Sequence, residues 1–372
     1  MTDYMLNPAA GGERPAAIPE HRHFTNSDIA GFHRSISGYR ETPLVPLPGL
    51  AEKLGVGKII CKDESMRFGL NAFKGLGASY AIHRLLMEDD KISTFCTATD
   101  GNHGRAVAWA SSLFNRKAVV FVPGHTVDAR IRNIKGHGAE VIRVNGDYDE
   151  TVSTAREQAD MNGWRLVQDT AWPGYTDIPS MIMSGYLTAF TESEESVHPA
   201  GLPGIDIVFL QAGVGSFAAS AAWYYLNRYG KNRPRLVCVE PSESDCLLRS
   251  CRQAAPSTTR KSQKTIMAGL NCGTASLTAW PVLERGIDLF LSIDDRYAED
   301  AMRSLYHPVN GDTRIISGES GAAGMAALIA MTQEPGLAEA GKGIGLDHNS
   351  RIMVFNTEGD TDPDAFRSIV SG

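Results

Sequence analysis

The first residue that could do chemistry is Lys74, in the stretch NAFKGLGA at residues 71–78. A short apolar strand is predicted at residues 58–61, and a helical pattern follows the lysine. Lys74 therefore falls at the passage from a strand to a helix, where the positive end of the helix dipole disfavours an ammonium group. A lysine that is also shielded from water has a lowered pKa and can act as an amine nucleophile. Its neighbours are small or apolar, which argues against an ordinary surface lysine.

A second candidate is the turn from Asp100 to Gly104, DGNHG, which follows a predicted strand and begins an amphipathic helix. Open α/β sheets bind ligands at the carboxyl ends of their strands, and glycines there let the backbone approach a ligand closely. Asp100 is a candidate acid or base, Asn102 could donate to an anionic oxygen, and His103 could assist either. The alternative is a turn in which Asp100 or Asn102 only caps the helix.

A third candidate is the loop from Gly213 to Ser216, between a predicted strand at 205–210 and a predicted helix. Its backbone N–H groups and the serine hydroxyl would bind a phosphate dianion, helped by the helix dipole. The loop also fits the dinucleotide pattern G-x-G-x-x-A, with Glu240 at the end of the next strand. Against that alternative, Glu240 lies about 27 residues after the first glycine rather than about 20. A nicotinamide enzyme also has no use for the first two candidates.

In this order along the chain, the three stretches resemble the fold type II pyridoxal phosphate enzymes, the group of tryptophan synthase β and threonine dehydratase. The similarity is greater still to the diaminopropionate ammonia-lyase family, and it covers nearly the whole chain after about residue 30. The matching motifs are ESxRFGLNAFK at 64–74, ATDGNHGRA at 98–106, QDTAWxGY at 168–175, IPxxIMxGY at 178–186, AGVGS at 212–216, MAGL at 267–270, RIISGESGA at 314–322 and TEGDTDP at 357–363. The resemblance implies an α/β protein of two lobes, each a mostly parallel sheet covered by helices.

The resemblance also implies roles for individual residues around a bound pyridoxal 5'-phosphate. Lys74 would hold the cofactor aldehyde, and Asp100, where dehydratases usually have serine, would face the substrate from the opposite side as a second base. Two bases could remove the α-proton from either enantiomer. Asp169, in QDTAW, would hold the second amino group of the substrate or orient the cofactor; alternatively it caps a helix. The implied cofactor-binding residues are Phe73, Lys74, Asn102, Gly213, Val214, Gly215, Ser216, Phe217, Asn356 and Thr357, and either of the last two would face the pyridine nitrogen.

The implied activity is the α,β-elimination of 2,3-diaminopropionate, D or L, to pyruvate and ammonia. Within the class, the alternative is a serine or threonine dehydratase or a β-replacement enzyme, because pocket loops change specificity without altering the motifs. Outside the class, the alternatives are a NAD-dependent oxidoreductase and a non-catalytic amino-acid-binding relative. Relatives suggest a homodimer. Cys246 and Cys272 match positions that can pair near the site entrance in related lyases, although thiols are expected inside a cell.

Two sets of strand-then-helix units must position these residues. The predicted strands are 94–99, 118–123, 140–144 and 165–168 in the first set, and 205–210, 235–240, 289–293 and 352–356 in the second. Each is short, apolar and β-branched, which is typical of buried parallel strands joined by helices. The sequence thus predicts a small α/β domain at 85–170 and a large cofactor-binding domain made of 1–84 and 171–372. Residues 1–42 are expected to form an irregular arm, and residues 334–350 an irregular Gly-rich segment.

Length, composition and charge limit the remaining possibilities. A chain of 372 residues with 42% hydrophobic content is long enough for about two domains. The net charge of −7 gives no basic face for nucleic acid and favours a small-molecule partner, here an amino acid. Neither an apolar run of about 18 residues nor a signal-peptide pattern is present, so no membrane association and a cytoplasmic location are expected. The six cysteines lack metal-ligand spacing, and no metal is expected.

Overall fold

The computed structural model of the chain describes residues 2–10, 22–25, 28–99, 101–146, 148–197 and 204–372. The chain forms two compact units. The first unit comprises Met1–Pro19, Glu41–Met66 and Ala189–Gly372, and the second comprises Glu20–Arg40 and Arg67–Thr188. Each unit contains its own sheet, and both sheets are mostly parallel, as predicted. Asp100 lies outside the described residues.

The second unit contains a four-stranded parallel sheet in the order β6-β5-β4-β7. Its strands are β4 (Thr94–Ala98), β5 (Lys117–Pro123), β6 (Glu140–Val144) and β7 (Arg165–Leu166). Its helices are α1 (Arg22–Thr25), α2 (Ile29–Ser35), α4 (Gly75–Glu88), α5 (Asn102–Leu113), α6 (Asp128–Lys135), α7 (Tyr148–Asn162) and α8 (Asp177–Gly185). Alternate residues of β5 enter two different cores, Val119 and Phe121 in one and Val120 and Val122 in the other. Because helices cover both faces of this sheet, its central strand β5 is a continuous apolar run after Lys117.

The first unit contains a seven-stranded sheet in the order β1-β10-β9-β8-β11-β3-β2, with antiparallel strands at its two edges. Its strands are β1 (Asp3–Leu6), β2 (Leu44–Pro46), β3 (Lys58–Asp63), β8 (Ile207–Gln211), β9 (Arg235–Pro241), β10 (Leu289–Ile293) and β11 (Arg351–Asn356). Its helices are α3 (Pro48–Leu54), α9 (Leu187–Val197), α10 (Ser216–Tyr229), α11 (Cys246–Gln253), α12 (Trp280–Gly286), α13 (Asp295–Tyr306), α14 (Ala323–Gln333), α15 (Ala338–Ile344) and α16 (Pro363–Ser371). Across the described ranges, none of the helices combines the length and apolar character needed to cross a membrane.

The compact units divide the chain at different places from the predicted domain boundaries. Residues 20–40, 67–84 and 171–188 were assigned to the large domain from the sequence, and in the structure they belong to the second unit. The physical reason is that α4 and α8 pack against each other and α4 packs on α5, which covers the small sheet. The small domain assigned to residues 85–170 from the sequence stays a prediction.

Two segments expected to be irregular contain regular structure. In the predicted arm, Asp3–Leu6 forms β1, which pairs with β10, and Asp3 is held by both terminal nitrogens of Arg252 at 2.7 Å. In the predicted Gly-rich segment, Ala338–Ile344 forms α15, whose Ala340 and Ile344 enter the main core of the first unit. Both elements depend on partners distant in sequence, and tertiary packing overrides weak local propensity. Part of the predicted arm, residues 11–21 and 26–27, lies outside the described residues.

A buried ion pair lies in the first unit, between Lys62 on β3 and Glu192 on α9. The Lys62 Nζ atom is 2.6 Å from Glu192 Oε2, and neither side chain is exposed to solvent. Lys62 also donates to the Thr42 carbonyl oxygen at 2.7 Å. The Thr42 hydroxyl donates in turn to the buried carboxylate of Glu64 at 2.6 Å. Sequence patterns indicated none of these contacts, because the paired residues are far apart in the chain.

Candidate active site

The structure brings together Lys74 and Asp169, two of the predicted catalytic residues, within the second unit. Lys74 is the N-cap residue of α4, and its Nζ atom is 2.5 Å from Asp169 Oδ2. The side chains are 19% and 12% exposed, so both are largely removed from water. Lys74 lies between β3 and α4, as predicted, and the 3-10 helix Glu64–Gly69 and a turn intervene between the strand and the lysine. The contact joins a lysine nitrogen, which is a nucleophile once it has lost a proton, to a carboxylate that can hold a positive charge.

Glycines permit the close packing that positions Lys74. A Cβ atom added to Gly77 would lie 2.6 Å from Tyr186 Cε1, and one added to Gly185 would lie 2.5 Å from the Leu76 carbonyl oxygen. Only hydrogen fits at either position, so the start of α4 rests directly against the end of α8. The Phe73 and Tyr186 rings then pack with their centroids 4.7 Å apart. These contacts hold the residue before Lys74 in an apolar setting, as the sequence predicted.

Asp169 carries a negative charge in this arrangement. Burial would raise the pKa of the Asp169 carboxyl, but the neighbouring His103 ring, the charge of Lys74 and the hydrogen bond from Lys74 outweigh burial, so the pKa is held well below its ordinary range. The alternative that Asp169 only caps a helix is wrong, because Asp169 lies in a bend and the next helix, α8, begins at Asp177. Asp169 therefore does not cap α8, and its carboxylate contacts the candidate nucleophile, Lys74.

Sequence reasoning missed the residues that fix Asp169 in place. Gln168 is fully buried, and its Oε1 atom accepts hydrogen bonds from the Thr97 hydroxyl at 2.9 Å and from the Ala98 N–H at 3.0 Å. The Gln168 N–H donates to the Tyr175 hydroxyl at 2.8 Å. These bonds tie the segment carrying Asp169 to β4 and to the turn before α8. The available signal was a glutamine directly before the aspartate in QDTAW, since a buried amide needs partners.

The predicted turn after β4 provides a helix start and places His103 next to Asp169. The helix α5 begins at Asn102 with Gly101 as its N-cap residue and no side-chain capping bond, so the capping role considered for Asn102 is wrong. His103 Nε2 is 2.8 Å from the Val167 carbonyl oxygen, and its Nδ1 is 3.7 Å from Asp169 Oδ2. Only an assisting role was predicted for His103. Asp100, the predicted second base, lies outside the described residues, and its role stays a prediction.

In the first unit, the predicted phosphate loop joins β8 to α10. The helix begins at Ser216, followed by Phe217, and Gly215 is its N-cap residue with φ of 100°, a left-handed conformation that favours glycine. A Cβ atom added to Gly213 would lie 2.8 Å from Cys272 Sγ. The first turn of a helix presents N–H groups that have no acceptor within the helix. This loop, with Val214 at its centre, has the form of an anion-binding site.

The end of β11 lies at the same edge of the sheet as the phosphate loop. Asn356 uses its amide group to donate to Asp63 Oδ1 at 2.8 Å and to the Ile316 carbonyl oxygen at 2.9 Å. The Thr357 hydroxyl oxygen accepts from Gln211 Nε2 at 2.9 Å, and Gln211 is the last residue of β8. Because a hydroxyl that accepts a hydrogen bond still has its own proton to donate, Thr357 can serve a ligand acceptor at this edge.

The nicotinamide alternative requires the Glu240 carboxylate to bind a ribose hydroxyl, but that carboxylate binds the start of α11 instead. Glu240, at the end of β9, is buried, and its two oxygens accept from the N–H groups of Leu247 and Leu248 at 2.8 Å each. Burial raises the pKa of Glu240 to about 8 despite these bonds. A carboxylate that caps α11 in this way has no oxygen directed outward for a ribose hydroxyl.

Replacing Gly215 should destabilise the protein and weaken its hold on a phosphate group. In Gly215→Ala the added Cβ would lie 2.7 Å from Leu283 Cδ1 and would impose a left-handed backbone on alanine. We expect a loss of about 1–3 kcal/mol in the free energy of unfolding. Chemical denaturation measures this loss. Gly136→Ala is the control, because Gly136 has φ of −59° and its added Cβ would meet ordinary contacts at 3.4 Å and beyond. Equal stability of the two variants would contradict this account of the loop.

Comparison with known proteins defines the class. The family model described as "Pyridoxal-phosphate dependent enzyme" matches residues 36–344. The structure of threonine deaminase isoform 2 from Solanum lycopersicum has a TM-score of 0.80 at 19% identity, which shows a common fold. The biosynthetic L-threonine dehydratase of Escherichia coli is 29% identical over 206 residues, 55% of this chain. The α/β fold of the fold type II pyridoxal phosphate enzymes is therefore confirmed, and pyridoxal phosphate is the cofactor of the class.

The diaminopropionate ammonia-lyases match more of the chain at higher identity. The enzyme of Salmonella typhimurium is 40% identical over 92% of this chain and 91% of its own length, and that of Escherichia coli K12 is 40% identical over 91% and 89%. The crystal structure of the Escherichia coli enzyme in complex with an aminoacrylate-PLP azomethine reaction intermediate has a TM-score of 0.90 at 39% identity, covering 100% of this chain and 97% of that one. The chain belongs to the diaminopropionate ammonia-lyase family of pyridoxal-phosphate dependent enzymes.

The residues of each unit fit this cofactor. In the second unit, Lys74 offers a primary amine that is largely shielded from water, and its Nζ atom lies 5.8 Å from the centroid of the Phe73 ring. In the first unit, the loop from Gly213 to Ser216 offers a helix start with a left-handed glycine, and Thr357 offers a hydroxyl. An aldehyde, a phosphate ester and a pyridine nitrogen are the three groups that such residues would bind.

Proposed function

We propose that this protein catalyses the α,β-elimination of 2,3-diaminopropionate to pyruvate and ammonia with pyridoxal phosphate. The observation that carries the proposal is the contact between the Lys74 amine and the Asp169 carboxylate, 2.5 Å apart. The pair supplies a nucleophile for the cofactor and an anion for a substrate with a second ammonium group. Serine and threonine lack that ammonium group, so a buried anion at this position favours the diamine over the hydroxyamino acids.

The chain would contribute position and proton transfer to the reaction. The cofactor, when bound, supplies the electron sink for the carbanion formed at the substrate α-carbon. Lys74 would hold the cofactor through its amine, and the same nitrogen would accept the α-proton of one enantiomer. Asp100 accepts the α-proton of the other enantiomer. Asp169 holds the second amino group as an ammonium, which leaves as ammonia when its bond to the β-carbon breaks. The hydrolysis of the remaining enamine in water gives pyruvate and a second ammonia.

The first unit would bind the phosphate and the pyridine nitrogen. The N–H groups from Gly213 to Phe217 would receive the phosphate dianion, and the dipole of α10 adds a favourable interaction. Of the two residues at the end of β11, Thr357 is the better partner for the pyridine nitrogen. The two amide protons of Asn356 are engaged by Asp63 and Ile316, whereas the Thr357 hydroxyl accepts from Gln211 and keeps its proton. A neutral donor leaves the pyridine nitrogen unprotonated, which suits elimination.

A comparison of four substrates tests the proposed function. Pyruvate release should be measured with D- and L-diaminopropionate and with D- and L-serine, at equal concentrations and with added cofactor. We expect the diamine to be turned over with the higher kcat/KM. Turnover of serine alone would overturn the proposal in favour of a dehydratase. The absence of turnover with all four substrates, in a protein that binds the cofactor, would favour the amino-acid-binding alternative.

Asp100→Asn should separate the two enantiomers. If Lys74 and Asp100 serve opposite faces of the substrate, removal of one base lowers kcat/KM for one enantiomer by about 100-fold or more and leaves the other within a few-fold. Asp169→Asn is the matched control, because a residue that holds the second amino group serves both enantiomers alike. Equal losses of D and L turnover in Asp100→Asn would contradict the two-base mechanism.

We also propose a homodimer in the cytoplasm. Two-fold dimers are the commonest closed assemblies of soluble enzymes, and relatives suggested one here. All six cysteines are free thiols, Cys246 and Cys272 included, as is typical of proteins in a reducing compartment. Light scattering of the purified protein tests the assembly, and a mass equal to one chain would exclude it.

A further inference from the structure

His103 has a defined tautomer and an unused nitrogen. Its side chain is 4% exposed, and Nε2 lies 2.8 Å from the Val167 carbonyl oxygen. Because a carbonyl can only accept, Nε2 carries a proton and donates it. In a neutral imidazole the second nitrogen, Nδ1, then has a lone pair and no proton. Nδ1 is buried and has no hydrogen-bond partner among the described residues.

The unused nitrogen faces an anion. Asp169 Oδ2 lies 3.7 Å from His103 Nδ1, and the same oxygen lies 2.5 Å from Lys74 Nζ. A lone pair that faces a carboxylate across a buried gap is repelled by it, unless a proton or another cation compensates for the negative charge. When Lys74 is an ammonium, its positive charge supplies that compensation. When the Lys74 nitrogen is uncharged, this compensation from Lys74 is lost.

We infer that His103 is the proton holder of this cluster, and that its Nδ1 takes up a proton, shared with Asp169, whenever the Lys74 nitrogen is uncharged. The proton closes the gap between Nδ1 and Oδ2 with a charge-assisted hydrogen bond. The cluster of Lys74, Asp169 and His103 thereby keeps the same total charge in both states. His103 acts through Asp169 and is a positioning residue in this role.

The charges around His103 support this assignment. Burial lowers the pKa of His103, the charge of Asp169 raises it, and the charge of Lys74 lowers it again. Loss of the Lys74 charge removes one of these two lowering influences on the His103 pKa, so that burial and the charge of Asp169 act against each other without it. On its own helix, Arg105 is directed away, to the carbonyl oxygens of Leu70 and Gly69 and to His137 Nε2.

The elements packed against α5 carry further titratable groups, among them Arg130 of α6, whose Nε atom would lie 3.6 Å from a Cβ atom added to Gly101 at the start of α5. On β4, burial raises the pKa of the Cys96 thiol to about 12, so it is neutral. On α4, His83 has a pKa that burial lowers, and Arg84 points to the Tyr80 hydroxyl. Asp100 lies outside the described residues, and substituting it measures its own effect on the His103 pKa.

A pH profile tests the catalytic consequence, which rests on the proposed elimination. When the second amino group has lost a proton, the proton held between His103 and Asp169 returns it to the ammonium form that departs: an N–H bond forms while the Nδ1–H bond breaks. His103→Gln keeps an amide donor for the Val167 carbonyl and removes Nδ1. We expect kcat to fall at neutral pH with little change in KM. In the plot of kcat against pH, the alkaline limb should move by about 1 unit to lower pH. A uniform loss at every pH, with the limb unmoved, would indicate a purely structural role and overturn this consequence.

The decisive experiment follows proton uptake directly, on cofactor-free protein, and is independent of substrate. Histidine NMR should be recorded against pH for the wild type, Lys74→Arg and Lys74→Met. We expect the His103 pKa to rise by about 1–3 units in Lys74→Met and to stay in place in Lys74→Arg. The signals of His83 and His137 report that the fold is kept. The rise should persist in Lys74→Met/Asp100→Asn and vanish in Lys74→Met/Asp169→Asn. An unchanged His103 titration in Lys74→Met, or a rise that depends on Asp100, would overturn the inference.

Discussion

Lys74→Ala should lower pyruvate release from diaminopropionate by on the order of 10³-fold or more. The substitution removes the amine that lies 2.5 Å from Asp169 and that would both hold the cofactor and accept an α-proton. Loss of both roles lowers kcat for each enantiomer, in contrast to the one-sided loss expected of Asp100→Asn. The measurement is kcat at saturating substrate with excess pyridoxal phosphate, so that weaker cofactor binding does not limit the rate.

A surface lysine provides the matched control for this result. Lys342 is 73% exposed and pairs with Glu339 on the surface of α15. Lys342→Ala should leave the rate unchanged. If Lys74→Ala kept a rate within tenfold of the wild type, another residue would have to hold the cofactor, and the assignment of Lys74 would be abandoned.

The second large effect concerns stability, and it arises from the buried pair of Lys62 and Glu192. Glu192→Gln removes the anion that lies 2.6 Å from the Lys62 ammonium, in a place where neither side chain reaches solvent. In this variant the Lys62 ammonium still donates to the Thr42 carbonyl oxygen, but the carboxylate that balanced its charge is gone. We expect a loss of about 3–5 kcal/mol in the free energy of unfolding, measured by chemical denaturation.

A double substitution separates the loss of the pair from the presence of an unpaired charge. Lys62→Met/Glu192→Leu removes both charges and should be less destabilised than Glu192→Gln, because no isolated charge stays buried. Glu339→Gln breaks the exposed pair with Lys342 and should change stability little, since surface pairs contribute little. A double variant as unstable as the single one would show that packing, and not charge, holds this part of the first unit together.

The sequence predicted the strands and the loops because they depend on local patterns. Strand β5 is apolar at every position from Ala118 to Pro123, which is typical of a parallel strand buried on both faces. The loop from Gly213 to Ser216 was recognisable because glycine and serine at a helix start have few other uses. Lys74 stood out because its neighbours are small or apolar, and the structure confirms that it is largely shielded from water.

The features that escaped prediction depend on residues far apart in the chain. The contact between Lys62 and Glu192 joins β3 to α9, and neither residue has a local pattern that distinguishes it from a surface charge. The role of His103 depends on which nitrogen faces Asp169, a matter of side-chain geometry that spacing does not encode. The strand β1 escaped prediction for the same reason, because its pairing partner β10 lies far along the chain.

The most direct test of the account is to locate the cofactor on the chain. The purified protein should be loaded with pyridoxal phosphate, reduced with borohydride, digested and examined by mass spectrometry. We expect the phosphopyridoxyl group on the peptide that contains Lys74, and its absence from that peptide in Lys74→Ala. A group fixed on any other lysine, or the absence of any fixed group from a protein that releases pyruvate, would contradict the account.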